Sequence, residues 1–476
     1  MKPSSDSLAP VPSKWLALIG VCLGVMMYTL DGSIVNIAVP TFLRVFRTDF
    51  VTVQWVIIGY LLVIICGLLA IARLAEVVGQ KRIFLIGLGL FTLGSLLCGL
   101  SPNIYSLIAF RIVQGLGAVC MAALMSATVV STFPSHQLGQ ALGIVTMAAT
   151  LGTSLGPSLG GFLIATWSWR GIFLVNLPLG LFAIFLVSKT LPQQPFLKVP
   201  RLRFDWAGFL LMTVGFISLL LVILQEDHTL VLRIGYGALS AIAFLSFGIV
   251  EYRSSLPLLD LRIFQTPAVT LGLLGRFLSM VINAGYLFMT PLFLEWVLNY
   301  SPKQTGLLLT TTPIIVGITA PIFGKLSDRY GSTYFNLAGL MGMAIALGIM
   351  SRFSPGMTSL EFMLSVAPWG LGLGMFNAPN NSIIMKSVSP EHHNLASALL
   401  SLSIMLGQAL GVSVLGASFH YFARQASPNV LEQSLTQLPP TAIAAGITQT
   451  FLLALLPVIV LILLNLRWQF SKKLDS

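Results

Sequence analysis

The chain has 476 residues, 56% of them hydrophobic and 9% charged, with a mean hydropathy of +0.91; this is too little polar surface to cover a water-soluble globule. Its net charge of +11 raises nucleic acid as a partner, which the distribution of the basic residues has to decide. Apolar stretches of about 18 residues or more recur from end to end, long enough to cross about 30 Å of hydrocarbon as helices, and alternating barrel strands of about ten residues are not seen. The expected fold is an all-α polytopic membrane protein of about fourteen spans.

Residues 1–14 form a polar head with no small-residue cleavage pattern, so the first span, 15–39, reads as an uncleaved anchor. It carries Asp31, Asn36 and, just beyond, Pro40. A carboxylate about two-thirds of the way across an apolar helix costs a few kcal/mol, so Asp31 should face a cavity or a partner; Tyr28 and Val35 share its face. Either a buried structural acid or a coupling group fits that position.

The second and third spans, 52–72 and 83–100, are joined by a basic turn containing Glu76, Gly79, Lys81 and Arg82. A second copy, Gly324 to Gly331 with Asp328 and Arg329, aligns at a constant offset, Leu74 with Leu326, Glu76 with Asp328 and Gly79 with Gly331. A fixed offset between two such loops points to a duplicated bundle, as in transporters made of two similar halves.

In the fourth span, 104–126, Arg111 is followed by Gln114, Gly115 and Gly117. A buried arginine is as expensive as Asp31, and a counter-carboxylate or a water path relieves it. The fifth span, 139–164, holds Gly143, Gly152, Gly156, Pro157, Gly160 and Gly161. Glycines four apart lie on one face and let a neighbouring helix approach to backbone contact, while Pro157 removes a donor and should bend or loosen the helix. Trp169 and Arg170 precede the sixth span, 171–188, which contains Asn176 and Pro178.

A proline-rich linker, 189–206, leads to two extra spans, 207–224 and 232–250, and then to a loop at 251–267. Six further spans follow, at 268–296, 306–324, 334–350, 360–384, 397–419 and 449–468, before a tail at 469–476. Glu295 lies near a span end beside Trp296, which suggests an interfacial position, whereas Arg276 is deeper and suits a cavity wall. Gly370, Gly372 and Gly374 precede Asn377, Asn380 and Asn381; a phosphate loop would need a strand before it, so packing and cavity lining are the expected roles.

With the N-terminus inside, most basic residues fall on the inner side; Arg44, Arg47, Arg170, Arg233, Lys303, Arg352 and Arg424 fall outside, and Arg111 and Arg276 lie within spans. That asymmetry follows the positive-inside rule and puts both termini in the cytoplasm, with no nucleic-acid patch left to explain. Cys22, Cys66, Cys98 and Cys120 all lie in spans, and neither they nor the five histidines show metal-ligand spacing.

Several of these patterns carry a family likeness. The run from Gly143 to Gly161 resembles the fifth-helix antiporter motif of drug exporters in the major facilitator superfamily. The loop at Gly324 resembles that superfamily's G-x-L-a-D-r-x-G-r-k signature closely; the loop at Ala72 departs from it at Ala72, Glu76, Val77 and Gln80, which weakens its charge network. Arg111 to Gly117 matches R-x-x-Q-G-x-G. Asp31 and its neighbours, with the W-R-x-x-F-x-x-N-x-P-x-G pattern starting at Trp169, resemble the fourteen-span drug:proton antiporters.

The resemblance implies two six-helix bundles, 15–188 and 268–468, with extra helices at 207–250. It implies a secondary transporter of the bacterial inner membrane that exports amphipathic drugs or toxic compounds in exchange for protons. Asp31 and Arg111 would couple the proton, the glycine-faced fifth helix would seal against leak, and the two inner loops would gate. Tyr28, Arg276, Glu295 and Asn377 are the positions offered to a cavity. The expected partners are small amphipathic substrates, protons and membrane lipids, the expected state is a monomer, and the energy source is the proton motive force, because no G-x-x-x-x-G-K-[ST] loop occurs. Two other readings stand beside this one: export of one endogenous metabolite such as a siderophore, and a membrane-embedded lipid enzyme. The enzyme would need a nucleophile and base or a metal cluster inside a span, and no Ser-His-Asp, H-E-x-x-H or paired-His set is seen.

Overall fold

The computed structural model describes residues 11–134, 137–191, 206–224, 230–253, 261–388, 393–427 and 438–474. Most of the 189–206 linker, residues 254–260 of the 251–267 loop and the extreme termini therefore lie outside the described residues, as do the side chains of Glu76 and Asp328 and the packing of Gly143. Among the described residues the chain is helical throughout, and fourteen segments are long and apolar enough to cross a membrane.

By internal packing the chain divides into two units, Met1–Ala38 with Trp55–Phe209, and Val39–Gln54 with Leu210–Ser476. The helices in chain order are α1 Val11–Ile37, α2 Val39–Phe46, α3 Phe50–Val78, α4 Gln80–Gly99, α5 Ile104–Thr132, α6 Leu138–Thr166, α7 Gly171–Leu174, α8 Asn176–Thr190 and α9 Trp206–Leu224. They continue with α10 Leu230–Arg253, α11 Pro267–Leu292, α12 Pro302–Leu309, α13 Thr311–Tyr330, α14 Ser332–Met350, α15 Ser359–Lys386, α16 His393–Leu410, α17 Gly416–Gln425 and α18 Pro440–Leu474.

Prolines set two of the breaks in the first part of the chain. A proline cannot donate to the carbonyl four residues back and crowds it. Pro40 does this to Asn36, and α1 ends at Ile37; Pro178 does it to Leu174, the last residue of α7, so that Asn176 opens a new helix. Pro157 behaves otherwise. Helix α6 runs through it without interruption from Leu138 to Thr166, because only one backbone bond is lost and packing against α1 on both sides of it holds the helical path.

In the first unit, α6 lies along α1 through its glycine face. A Cβ on Gly152 would strike the Thr29 hydroxyl, one on Gly156 the Ser33 hydroxyl, and one on Gly160 would come within 2.7 Å of Ile34 Cγ1. Gly161 is buried as well. Helix α5 is held in the same way on two sides: a Cβ on Gly115 would come within 3.0 Å of the Tyr60 carbonyl oxygen of α3, and one on Gly117 within 2.7 Å of the Gly87 carbonyl oxygen of α4.

In the second unit, α11 is followed by a π-helical turn, Phe293–Val297, and α16 by another, Gly411–Leu415. The segment Val39–Gln54 packs here, with Phe50 against Phe288 and Phe419 and with Gln54 Nε2 donating to the Val412 carbonyl at 2.8 Å.

The loop repeat seen in the sequence recurs as backbone geometry. Gly79 joins α3 to α4 at φ 96°, ψ 134°, and Gly331 joins α13 to α14 at φ 100°, ψ 128°. Both are positive-φ conformations open to glycine, and each glycine N–H closes the preceding helix, onto Ala75 and Ser327 respectively.

Candidate functional site

Asp31 is fully buried in the first unit and sits inside a polar network. Arg111 Nη1 donates to its Oδ2 in a short ion pair, and Gln114 Nε2 donates to its Oδ1 at 2.8 Å. Arg111 and Gln114 are three residues apart on α5 and so face the same way; Arg111 Nη1 also donates to Gln114 Oε1 at 2.7 Å. A third donor, Asn176 Nδ2, reaches Oδ1 at 3.3 Å from the first turn of α8, whose positive dipole end favours a carboxylate. The break that Pro178 imposes is what brings Asn176 to that turn.

The rest of Arg111 is equally occupied. Its Nε donates to the Val56 carbonyl at 3.0 Å, and its guanidinium lies 4.0 Å from the centre of the Tyr60 ring, a cation–π contact. Gln114 Nε2 also donates to Ser95 Oγ at 2.8 Å, and Cys98 Sγ lies 3.7 Å from Gln114 Oε1. That closeness is possible because α4 carries Gly94 against the Gln114 backbone, where a Cβ would come within 2.7 Å. The result is a buried ion pair in which each member has several further partners.

The remaining motif residues support this site from outside it. Asn36 Nδ2 donates to the Gly32 carbonyl of its own helix at 3.1 Å and does not touch Asp31. Tyr28 accepts the Tyr60 hydroxyl at its carbonyl, 3.3 Å, and its own hydroxyl points to Met125 Sδ at 3.5 Å. Trp169 is buried beneath the Arg170 guanidinium at 4.4 Å, and Arg170 Nη2 donates to the Ser101 carbonyl at 3.2 Å, tying the segment before α7 to the end of α4. Pro178 is exposed. In the first loop, Lys81 Nζ donates to the Leu191 carbonyl at 2.5 Å, while Arg82 is exposed. In the second, Arg329 is exposed and lies over its neighbour Tyr330 at 5.3 Å, and a Cβ added at Gly324 would make ordinary contact with Ala378.

In the second unit, Arg276 Nη1 donates to Asn377 Oδ1 in a short bond. Glu295 does stand at the end of its span, but its side chain is only 2% exposed, paired at 2.7 Å with Arg44 of α2. The expected interfacial carboxylate is therefore buried, because the π-turn of residues 293–297 turns it into the protein. Its partner is far away in the sequence, and nothing there signalled the pair. Sequence patterns did include Gln114 and Asn176, though not as ligands of Asp31, and they missed Tyr60, Ser95 and Cys98, which are single residues in apolar helices.

The fold and this buried network define a polytopic helical membrane protein with an ionised pair inside one helical unit. The sequence matches the Major Facilitator Superfamily over residues 21–412 and 272–471, and the chain belongs to that superfamily of transporters. It is 33% identical over 406 residues to the riboflavin transporter RibZ of Clostridioides difficile, covering 85% of this chain and 88% of that protein. It is 34% identical over 411 residues to multidrug resistance protein Stp of Mycobacterium tuberculosis, covering 84% and 75%. A bacterial homologue of the human lysosomal transporter Spinster, solved inward-facing and unoccupied, superposes with a TM-score of 0.69 at 16% identity, covering 96% of this chain and 97% of that one. At that identity the likeness concerns the fold alone.

Proposed function

We propose that this transporter exports small amphipathic compounds in exchange for protons across a bacterial inner membrane, with both termini in the cytoplasm and Asp31 as the proton carrier. The observation that supports this reading is the Asp31–Arg111–Gln114 network, buried yet built around a group that can gain and lose a proton. Protonating Asp31 removes the anion from a buried ion pair and leaves Arg111 with a carbonyl, an amide and a ring. Such a state is costly unless helices or water rearrange, which converts proton occupancy into a bias between conformations. The glycine face of α6, in backbone contact with α1 beside Asp31, would keep protons from leaking past it.

The test is transport in proteoliposomes with an imposed pH gradient. Asp31→Asn keeps size and hydrogen-bonding capacity but removes the titration. It is expected to abolish substrate-driven proton movement and to flatten the pH dependence of export, with substrate binding retained. Proton coupling that survives in this variant moves the carrier elsewhere.

The likeness to RibZ supports a second reading, transport of one endogenous compound rather than many drugs. Competition between labelled riboflavin and ethidium in the same vesicles separates the two readings.

A further inference from the structure

Three charged residues stand well away from the ends of the described spans: Asp31, Arg111 and Arg276. The first two neutralise each other. Arg276 has no such partner: among the described residues no carboxylate pairs with it, its Nε is buried without a hydrogen-bond partner, and its one side-chain bond is from Nη1 to a neutral amide, Asn377. It lies nine residues into a span that begins at Pro267, about 14 Å along the helix axis and so about halfway through the hydrocarbon. The residue is only partly buried, and a guanidinium without a carboxylate at that depth calls for water or a ligand rather than lipid.

The surrounding amides show that this incompleteness is local. Next to Asn377 on α15, Asn380 is fully used: its Nδ2 donates to the Gly272 carbonyl at 3.0 Å and its Oδ1 accepts from Asn336 at 3.0 Å. That network ties α11, α14 and α15 together and leaves nothing over. One helical turn from Asn377, on the same face, Asn381 Oδ1 is buried without a partner. An arginine without a carboxylate partner and, one helical turn along α15 from the amide it binds, an acceptor without a partner therefore stand beside a network of satisfied amides.

We propose that Arg276 is a substrate-recognition residue that binds a carboxylate on the transported compound, with Asn381 accepting a neighbouring N–H or O–H. The preferred cargo is then an amphipathic acid or zwitterion rather than a lipophilic cation. The inference rests on the transport reading above and narrows its substrate class.

The experiment measures binding of three probes to the full-length protein in detergent: nalidixate, its uncharged methyl ester, and the cation ethidium. Wild-type protein is expected to bind nalidixate at least tenfold more tightly than the ester. Asn377→Asp places a resident carboxylate on Arg276 and should erase that preference without unfolding the protein; Arg276→Gln should erase it too, and Arg276→Lys should keep part of it. Equal binding of acid and ester by wild-type protein, binding of neither, or a preference that survives Asn377→Asp overturns the proposal. Export of nalidixate and of ethidium by the same proteins reconstituted in proteoliposomes with an imposed pH gradient reports on the transport reading by itself. Export that persists without acid preference sinks only the role of Arg276, whereas absence of gradient-driven export of both probes sinks the reading beneath it.

Discussion

Asp31 and Arg111 are each prohibitive alone in a span and compatible together, and that asymmetry governs how their variants behave. Removing one partner of a buried pair leaves an uncompensated charge and costs about 3–5 kcal/mol, while replacing both with neutral groups of similar volume is often close to neutral. Arg111→Met is therefore expected to lower thermal stability sharply, and adding Asp31→Leu should restore much of it, as measured by unfolding of the purified protein in detergent. A double variant as unstable as the sum of the singles would mean that the pair is not the unit that matters here. The sequence marked both residues as too expensive to stand alone in a span, but left the relief of Arg111 open between a counter-carboxylate and a water path; packing of the first span on the fourth makes the pair. Its surroundings were less legible. Gln114 and Asn176 stood out as motif positions, yet their donation to Asp31 depends on glycine contacts and on the Pro178 break, which act in three dimensions. Arg44 and Glu295 show the limit more sharply: each looked like an ordinary residue near a span end, and only packing joins them.

At the scale of helices, glycine does two unlike things in this chain. At Gly156 the space for a side chain is already filled by Ser33 and by the Ile34 backbone, with Ile34 N at 3.0 Å from an added Cβ, whereas at Gly89 nothing stands within 4 Å. Gly156→Ala should push α6 off α1, lowering export by tenfold or more at equal membrane expression, and Gly156→Leu should be worse. Gly89→Ala, free of clash, should leave export unchanged and add about 0.5–1 kcal/mol of helix stability. Export by Gly156→Ala at the wild-type rate would show that α6 tolerates separation from α1. Helix positions were readable because apolar length is a strong signal, and the fourteen expected spans coincide with fourteen observed ones. The start of the last helix was not: α18 begins at Pro440, ahead of the expected span at 449, because Thr441, Gly446, Thr448 and Gln449 interrupt the apolar pattern of its opening turns. The π-turns at 293–297 and 411–415 had no signature either, since one extra residue in a helical turn leaves the apolar pattern almost unchanged.

For the whole chain, duplication was legible in the two loops, while the allegiance of Val39–Gln54 was not. That segment follows α1 directly yet packs with the second unit, and covalent order says nothing about such a choice. The loops lead to a prediction that applies to both halves alike. Gly79→Ala and Gly331→Ala each place a side chain on a backbone that resists it, which should cost about 1–3 kcal/mol apiece and add independently when combined, as read from thermal unfolding. Unequal costs would mean that one corner has relaxed. The same feature bears on how the halves came to differ. Around Gly79 the chain has exchanged the glycine, the aspartate and the arginine still present as Gly324, Asp328 and Arg329 for Ala72, Glu76 and Val77, yet the corner has kept its torsion angles to within a few degrees. An achiral residue at a bend is a constraint that drift cannot erode by small steps, whereas charges can be lost one codon at a time, so ancestry here is recorded more faithfully in the path of the chain than in its chemistry.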